Sequence, residues 1–312
     1  MNIAFITDPL DEFKLEKDST YAMMREAARR GHELHVLRQD DLAWQRNAVI
    51  GRASRLHLAG EAGAWYRLDA AVDTPLERFD AVLMRKDPPF DMEYVYSTYL
   101  LEIAENRGAK VFNRPRAIRD FNEKMAIARF AQFTAATLVT RREDLLRGFL
   151  AEHGDIILKP LDGMGGSSVF RVRNGDPNVS VIIETLTALG SRSIMAQRYL
   201  PAISDGDKRV LVIGGEPVPF CLARIPQPGE TRGNLAAGGT GVARPLTPRD
   251  REIGETLGPQ LREAGLLLVG LDVIGENLTE VNVTSPTCFQ EISRQSGFDV
   301  AAMFLNTLEN SI

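Results

Sequence analysis

Asp272, Glu280 and Asn282 are the residues of this chain whose types and spacing most directly suggest chemistry. They lie in Gly270-Leu271-Asp272-Val273-Ile274-Gly275-Glu276-Asn277-Leu278-Thr279-Glu280-Val281-Asn282-Val283, where two apolar runs flank Gly275-Glu276-Asn277. A three-residue connection of that kind joins antiparallel strands and brings Asp272 opposite Glu280. Because side chains alternate along a strand, Asn282 shares their face, while Leu271, Val273, Val281 and Val283 point into a core. Like charges directly opposite one another destabilise a strand pair by up to roughly 1 kcal/mol, so two buried acids ask for a cation between them. Carboxylate and carboxamide oxygens are hard donors that suit Mg²⁺ shared with phosphate. The alternative is a solvated hairpin face whose acids look outward, and this segment alone does not separate the two.

A second set of groups is basic. Lys159 closes the buried-looking run at 155 to 160, and Leu161-Asp162-Gly163-Met164-Gly165-Gly166-Ser167-Ser168 follows it into a predicted strand at 169 to 172. Glycines there let backbone N–H groups approach and hold an anion. The stretch is not a Walker A loop, since no Gly-Lys-Ser/Thr follows and the next element reads as strand, and taken alone it is equally a glycine-rich hairpin turn. Lys124 falls on a helix predicted over 123 to 132 with Asn122 as its cap. Residues 225 to 245 crowd prolines and glycines into a segment with no periodicity, and so long a loop is a lid or disordered. Arg224 and Arg232 favour the lid, because they give it something to grip.

The elements that must carry these groups begin as alternating strand and helix. Strands at 2 to 6, 33 to 37, 79 to 84 and 110 to 112 are interleaved with helices at 21 to 30 and 94 to 107, which predicts a parallel sheet with its ligands at the carboxyl ends of the strands. Residues 40 to 78 read as a small antiparallel insertion. Beyond 122 come strands at 137 to 140 and 194 to 200, helices at 143 to 152 and 181 to 189, a hairpin over 208 to 224, and helices at 248 to 263 and 298 to 308.

The chain has 312 residues, a formal charge of -5 and a pI near 5.6, which argues against a polyanion recognised by bulk charge, hence no nucleic acid. Cys221 and Cys288 form neither a disulfide framework nor a metal finger, so packed thiols in a reducing compartment are expected. No run approaches the roughly 18 apolar residues of a membrane span, and the first ten residues do not read as a leader. A soluble, cytoplasmic protein with no membrane partner is the expectation.

Four long motifs resemble those of bacterial glutathione synthetases, within the ATP-grasp ligase superfamily: Met84-Arg85-Lys86-Asp87-Pro88-Pro89-Phe90, the Lys159 strand end with its glycine loop, the stretch from Gly229 to Gly239, and Glu280-Val281-Asn282-Val283-Thr284-Ser285-Pro286-Thr287. The resemblance implies an α/β chain: an N-terminal parallel-sheet, Rossmann-like domain over 1–121, then an ATP-grasp fold whose two α+β lobes, 122–200 and 201–312, clasp a nucleotide. Carried over residue by residue, it assigns Lys124 and Lys159 to the phosphates of ATP and Gly163, Gly165 and Gly166 to the loop that covers them. Gln197, Tyr199 and Leu200 would meet adenine through backbone groups, and Asp207 the ribose. Arg209 would reach phosphate, acting with Arg224 and Arg232 in catalysis. Asp272, Glu280 and Asn282 would hold two Mg²⁺, with Mn²⁺ able to substitute, and Arg85, Ser285, Pro286 and Thr287 would face the peptide substrate.

The implied reaction joins γ-glutamylcysteine to glycine through an acyl phosphate, giving glutathione, ADP and phosphate. The implied assembly is a homo-oligomer, a tetramer. Other readings are a D-alanine-D-alanine or amino-acid-to-protein ligase, a kinase on the same site, or a nucleotide-binding module without catalysis. Residues 45 to 75 and those after Thr287 match the family less well and receive no site. The four histidines fall outside the motifs, and no covalent nucleophile is needed.

Overall fold

The computed structural model describes every residue except 62, 63, 231, 236 and 237. Its described strands fall into three sheets. In the first, β1 (Asn2–Ile6), β2 (Glu33–Leu37), β7 (Ala81–Met84) and β8 (Val111–Phe112) run parallel in the order β2-β1-β7-β8. The crossovers are α1 (Ser19–Arg29) and α2 (Met92–Glu105), capped by the Asp18 and Asp91 carboxylates, which accept from the N–H of Tyr21 and Tyr94. The antiparallel insertion is present as β3 (Leu42–Gln45), β4 (Ala48–Glu61), β5 (Ala64–Leu68) and β6 (Val72–Pro75), with β4 pairing the other three and β2.

A short helix, α3 (Pro115–Asp120), leads to the segment carrying Lys124. The helix predicted there is a 3₁₀ run, Met125–Phe133, broken at Phe130. The N-cap position of this run is Lys124 and not Asn122, although the Asn122 side-chain oxygen accepts from the N–H of Lys124 and Met125 in the turn that leads into it. The Glu123 carbonyl, however, accepts from Val281 N–H at 2.8 Å, so a distant strand takes an acceptor that a regular first turn would use.

The second sheet is antiparallel, in the order β11-β10-β12-β9, from β9 (Thr137–Thr140), β10 (Asp155–Pro160), β11 (Phe170–Arg173) and β12 (Ile194–Arg198). With α4 (Glu143–His153) and α5 (Val179–Thr187) it encloses its own core of Leu146, Ile156, Leu158, Val172, Ile183 and Ala196, among others. The third sheet is antiparallel in the order β15-β14-β13-β16-β17, from β13 (Asp207–Ile213), β14 (Glu216–Ile225), β15 (Thr240–Pro245), β16 (Leu268–Ile274) and β17 (Asn277–Asn282). On one face it carries α6 (Pro248–Glu263), and on the other α7 (Phe289–Ser296) and α8 (Val300–Glu309).

Two differences from the sequence reading matter. Residues 240 to 245 are not loop but strand β15, whose pairing runs from Ile225↔Thr240 to Phe220↔Pro245. The Gln295 side chain serves its outer edge, accepting from Ala243 N–H and donating to the Gly241 carbonyl. Helix α7 was also absent from that reading.

The first and third sheets share one core, in which Ile3, Phe5 and Leu83 join Leu211, Leu222, Phe289 and Phe304. Asn113, at the end of β8, bolts them together. Its amide donates to the carbonyls of Leu268 (2.7 Å) and Val283 (2.8 Å), and its oxygen accepts from Leu268 N–H (2.9 Å).

Candidate active site

The acid hairpin forms with Asp272 paired to Glu280, Leu271 to Val281 and Gly270 to Asn282. Its turn differs from the expectation. Two residues, Gly275 and Glu276, connect the strands, with Gly275 at φ 59, and Ile274 pairs with Asn277. In a regular ladder this would set Asp272 against Thr279 and turn Glu280 to the opposite face. Thr279 is instead the extra residue of a β-bulge, its hydroxyl donating to the Asp272 carbonyl at 3.1 Å, and the bulge restores the carboxylate pair. Val273, Val281 and Val283 are buried beneath, as alternation requires.

The acids do not confront each other uncompensated, which corrects the reading of the hairpin alone. Arg209, paired with Asp272 from β13, reaches its carboxylate at 2.6 and 3.3 Å, and Arg224 adds a contact at 2.9 Å. Glu280 faces Lys159 at 3.2 Å and Lys124 at 3.8 Å. Burial works to raise both carboxyls, but these cations outweigh it and hold Asp272 and Glu280 below the usual carboxylate range. Lys124 also contacts the Glu123 carboxylate and donates to the Gly163 carbonyl at 2.6 Å. Burial, aided by the charge of Glu280, pushes the Glu123 carboxyl up to about 7.

Asp207 shows the opposite balance. Although Arg224 is bonded to one oxygen, burial pushes its carboxyl up to about 7, and the other oxygen, Oδ1, is buried without a hydrogen-bond partner among the described residues. Such an orphaned acceptor at a cavity wall suits a ligand hydroxyl.

These groups line one cavity of about 300 Å³ between the second and third sheets. Lys124, Lys159, Gly163, Gly165, Gly166, Gln197, Tyr199, Leu200, Asp207, Arg209, Arg224, Arg232, Asp272, Glu280, Asn282, Ser285, Pro286 and Thr287 all contribute to it. Arg85 does not. It lies buried behind the wall, donating to the Thr20 hydroxyl (3.1 Å) and the Pro286 carbonyl (2.9 Å), while the Ser285 hydroxyl donates to the Arg85 carbonyl (3.3 Å). Arg224 belongs to strand β14 and is buried, so it is not a gripping residue of the lid.

Arg232 pairs with Glu230 and approaches the Gly166 carbonyl at 3.5 Å. The surrounding segment therefore rests on the glycine loop, although its Thr231, Ala236 and Ala237 lie outside the described residues. The Gln197 side chain donates to the Thr137 hydroxyl, and the Tyr199 ring lies under the Arg171 guanidinium at 3.4 Å. Glu123, Asn234 and Cys288 line the cavity unforeseen. Glu123 stands beside Lys124 and Asn234 falls within the 229–239 motif, whereas Cys288 carried no sequence signal.

A family model described as the ATP-grasp domain of prokaryotic glutathione synthetase matches residues 123–297, and one described as its N-terminal domain matches residues 1–119. The chain belongs to the prokaryotic glutathione synthetase family. A glutathione synthetase of Nitrosomonas europaea is 62% identical over 315 residues, covering 100% of this chain and 98% of the relative. One of Escherichia coli is 52% identical over 309 residues, covering 99% and 98%. Among solved structures, D-cycloserine synthetase DcsG aligns with a TM-score of 0.69 at 16% identity, covering 100% and 99% of the two chains. The ATP-grasp ligase PsnB complexed with minimal precursor gives 0.64 at 19%, covering 99% of each. Both likenesses establish the ATP-grasp fold. Membership makes the chain an ATP-dependent ligase that uses a divalent metal. The hard oxygen donors of Asp272, Glu280 and Asn282, gathered at one cavity wall beside four cations, fit such a metal. No helix among the described residues is long and apolar enough to cross a membrane.

Proposed function

We propose that this cavity takes the γ-phosphoryl group of ATP onto the cysteinyl carboxylate of γ-glutamylcysteine, and that the amino group of glycine then displaces phosphate to give glutathione. A carboxylate does not acylate an amine in neutral water, whereas an acyl phosphate has a good leaving group. ADP leaves from the first step and phosphate from the second, so each bond formed consumes one ATP.

The observation that carries this reading is the charge balance of the cavity. Its four buried or half-buried acids, Glu123, Asp207, Asp272 and Glu280, are matched by Lys124, Lys159, Arg209 and Arg224. A triphosphate that arrives with divalent cations preserves that balance, and one arriving alone breaks it. Asp272, Glu280 and Asn282 would hold the cations, two Mg²⁺ or Mn²⁺ in their place, which when bound shield the charge of the transferring phosphoryl group. Lys124 and Lys159 then exchange carboxylate for phosphate partners, Asp207 Oδ1 accepts from the ribose, and Arg209 and Arg224 remain to meet developing charge. Gly163, Gly165 and Gly166 close over the phosphates. Arg85 acts from behind, fixing the loop of Ser285, Pro286 and Thr287 against the peptide. The segment around Arg232 excludes water, which would hydrolyse the acyl phosphate. A cytoplasmic location keeps the substrate thiol reduced.

The test is ADP release with ATP, Mg²⁺, γ-glutamylcysteine and glycine, each omitted in turn. Release should require all four. Equal release without glycine would mean a kinase or an uncoupled ATPase, and turnover with D-alanine in place of both substrates would mean the dipeptide-ligase reading.

A further inference from the structure

A second, smaller cavity of about 30 Å³ adjoins the main one. Its apolar wall is Phe90, Ile118, Phe121, Leu161 and Val283. These come from the 84–90 motif, from α3 and the residue after it, from the end of the Lys159 strand, and from the exit of the hairpin that carries Asp272 and Glu280. Pro88, Glu123, Met164 and Thr284 line both cavities, so the passage between them runs past these four. Three of the four long motifs thus meet at a pocket that phosphoryl transfer itself does not use.

The pocket is preformed. Ile118, Phe121 and Val283 are buried in the cores behind it, and the Phe90 ring leans on buried Tyr94 at 5.1 Å. The Asn122 amide donates to the Leu161 carbonyl at 3.3 Å and joins two sides of the wall. No lysine, arginine or histidine lines the pocket, and its two acids are engaged elsewhere, Asp162 by Arg192 and Glu123 by Lys124. Glycine, which carries a free carboxylate, would set it beside those acids with no cation in the wall, so the amine substrate is not the occupant. An apolar group is. A void needs about 10–15 Å³ for each water-sized atom, so this one takes two heavy atoms.

We propose that this pocket is the subsite for the cysteinyl side chain of γ-glutamylcysteine, an inference that rests on the function proposed above. In that reaction the cysteinyl carboxylate lies at the hairpin, beside Asn282. Thr284 stands at the passage two residues further on, at most about 7 Å along the chain. The side chain branches from the carbon that bears the carboxylate, so a dipeptide seated at the hairpin turns its CH₂–SH past Thr284 into the pocket. A thiol is a weak donor and acceptor and asks little of the wall, whereas a hydroxyl would find Asn122, Glu123 and Asp162 already engaged. Phe90 and Leu161 are the half-buried members of the apolar wall, so their size can be changed with least disturbance of a core.

The test is kcat/KM of the full chain with ATP, Mg²⁺, glycine and, in turn, γ-glutamylcysteine and its glycyl, seryl and leucyl counterparts. Ratios between dipeptides are read, because a loosened fold lowers all four together. The wild type should prefer the cysteinyl dipeptide ~100-fold over the glycyl, ~10-fold or more over the seryl, and ~100-fold or more over the leucyl. Leu161→Phe, which fills the pocket, should cut the cysteinyl-to-glycyl ratio ~10-fold or more. Phe90→Ala, which enlarges it, should raise the leucyl-to-cysteinyl ratio by a similar factor, and each variant tests the pocket by itself. An unmoved ratio in either variant, or a wild type that uses the seryl dipeptide as well as the cysteinyl, would overturn the subsite and leave the proposed reaction standing. A wild type that turns over none of the four would overturn both.

Discussion

Glu280→Gln separates what the structure says about the hairpin from what the strand pattern alone implies. Read as two opposed acids, the hairpin should gain up to roughly 1 kcal/mol when one charge is removed. In the structure, however, that charge is what Lys159 and Lys124 face, and the Lys159 and Lys124 side chains are only 7 and 4% exposed. Lys124 keeps Glu123 and the Gly163 carbonyl, while Lys159 is left with a neutral amide. Loss of a hydrogen bond to a charged group removes about 2 kcal/mol, and relief of the repulsion from Asp272 returns a fraction of that. A net loss of about 1–2 kcal/mol is therefore expected for the ligand-free chain at neutral pH, read from urea unfolding. Glu280 also gives the effect a pH signature. Its carboxyl lies below the usual range in the folded state, so its stabilisation is present above the unfolded carboxylate pKa and is lost as pH falls through the folded one. The gap between wild type and variant should close in acid. Turnover measured as ADP release should fall by orders of magnitude, with a raised Mg²⁺ requirement. A variant as stable as wild type at neutral pH would refute the pairing argument, and normal turnover at low Mg²⁺ would remove the metal role.

Three further outcomes are expected. The Glu123 carboxyl is raised from 4.5 to about 7, so stability from this group falls as pH rises through that window, and Glu123→Gln should flatten the pH dependence of unfolding there; identical slopes would be contrary. Arg232→Ala should lower kcat about tenfold or more while leaving ATP affinity nearly unchanged, and protease cutting between residues 226 and 239 should slow when ATP, Mg²⁺ and peptide bind; equal cutting rates would exclude lid closure. Gly258→Ala should destabilise by about 3 kcal/mol despite a gain of about 1 kcal/mol in helix propensity, because its Cβ would lie 1.9 Å from the Gly215 carbonyl oxygen; a urea midpoint at or above wild type would contradict that close approach.

The sequence carried what depends on local period and turn chemistry. The parallel strands, the hairpin carrying Asp272 and Glu280, and the strand ending at Lys159 follow from alternation, caps and glycines within short windows. The partners of those residues did not follow, because they arrive from far along the chain: Lys159 is 121 residues from Glu280, and Arg209 is 63 from Asp272. The bulge at Thr279 was hidden because an overlong turn gives the same pairing. Strand β15 was hidden among glycines and prolines because its outer edge depends on Gln295, and the 3₁₀ run after Lys124 because Val281 claims the Glu123 carbonyl.

The shared core and the Asn113 bolt have a consequence for how such a chain can be remade. The second sheet closes one apolar interior with residues of its own stretch, so it could be exchanged or inserted as a cassette with a small apolar seam, where Met195, Val139 and Leu161 join the core of the third sheet. The first and third sheets have no such seam. Ile3 and Phe5, early in the chain, and Phe304 and Leu308, some 300 residues later, fill a single interior, and the Asn113 amide reaches the carbonyls of Leu268 in β16 and of Val283 just past β17. A chimera that took its first 110 residues from another lineage would inherit half of a core and half of a hydrogen-bond set. Recombination should therefore tolerate breakpoints around the second sheet better than between the other two, unless the segments that build the first and third sheets are exchanged together.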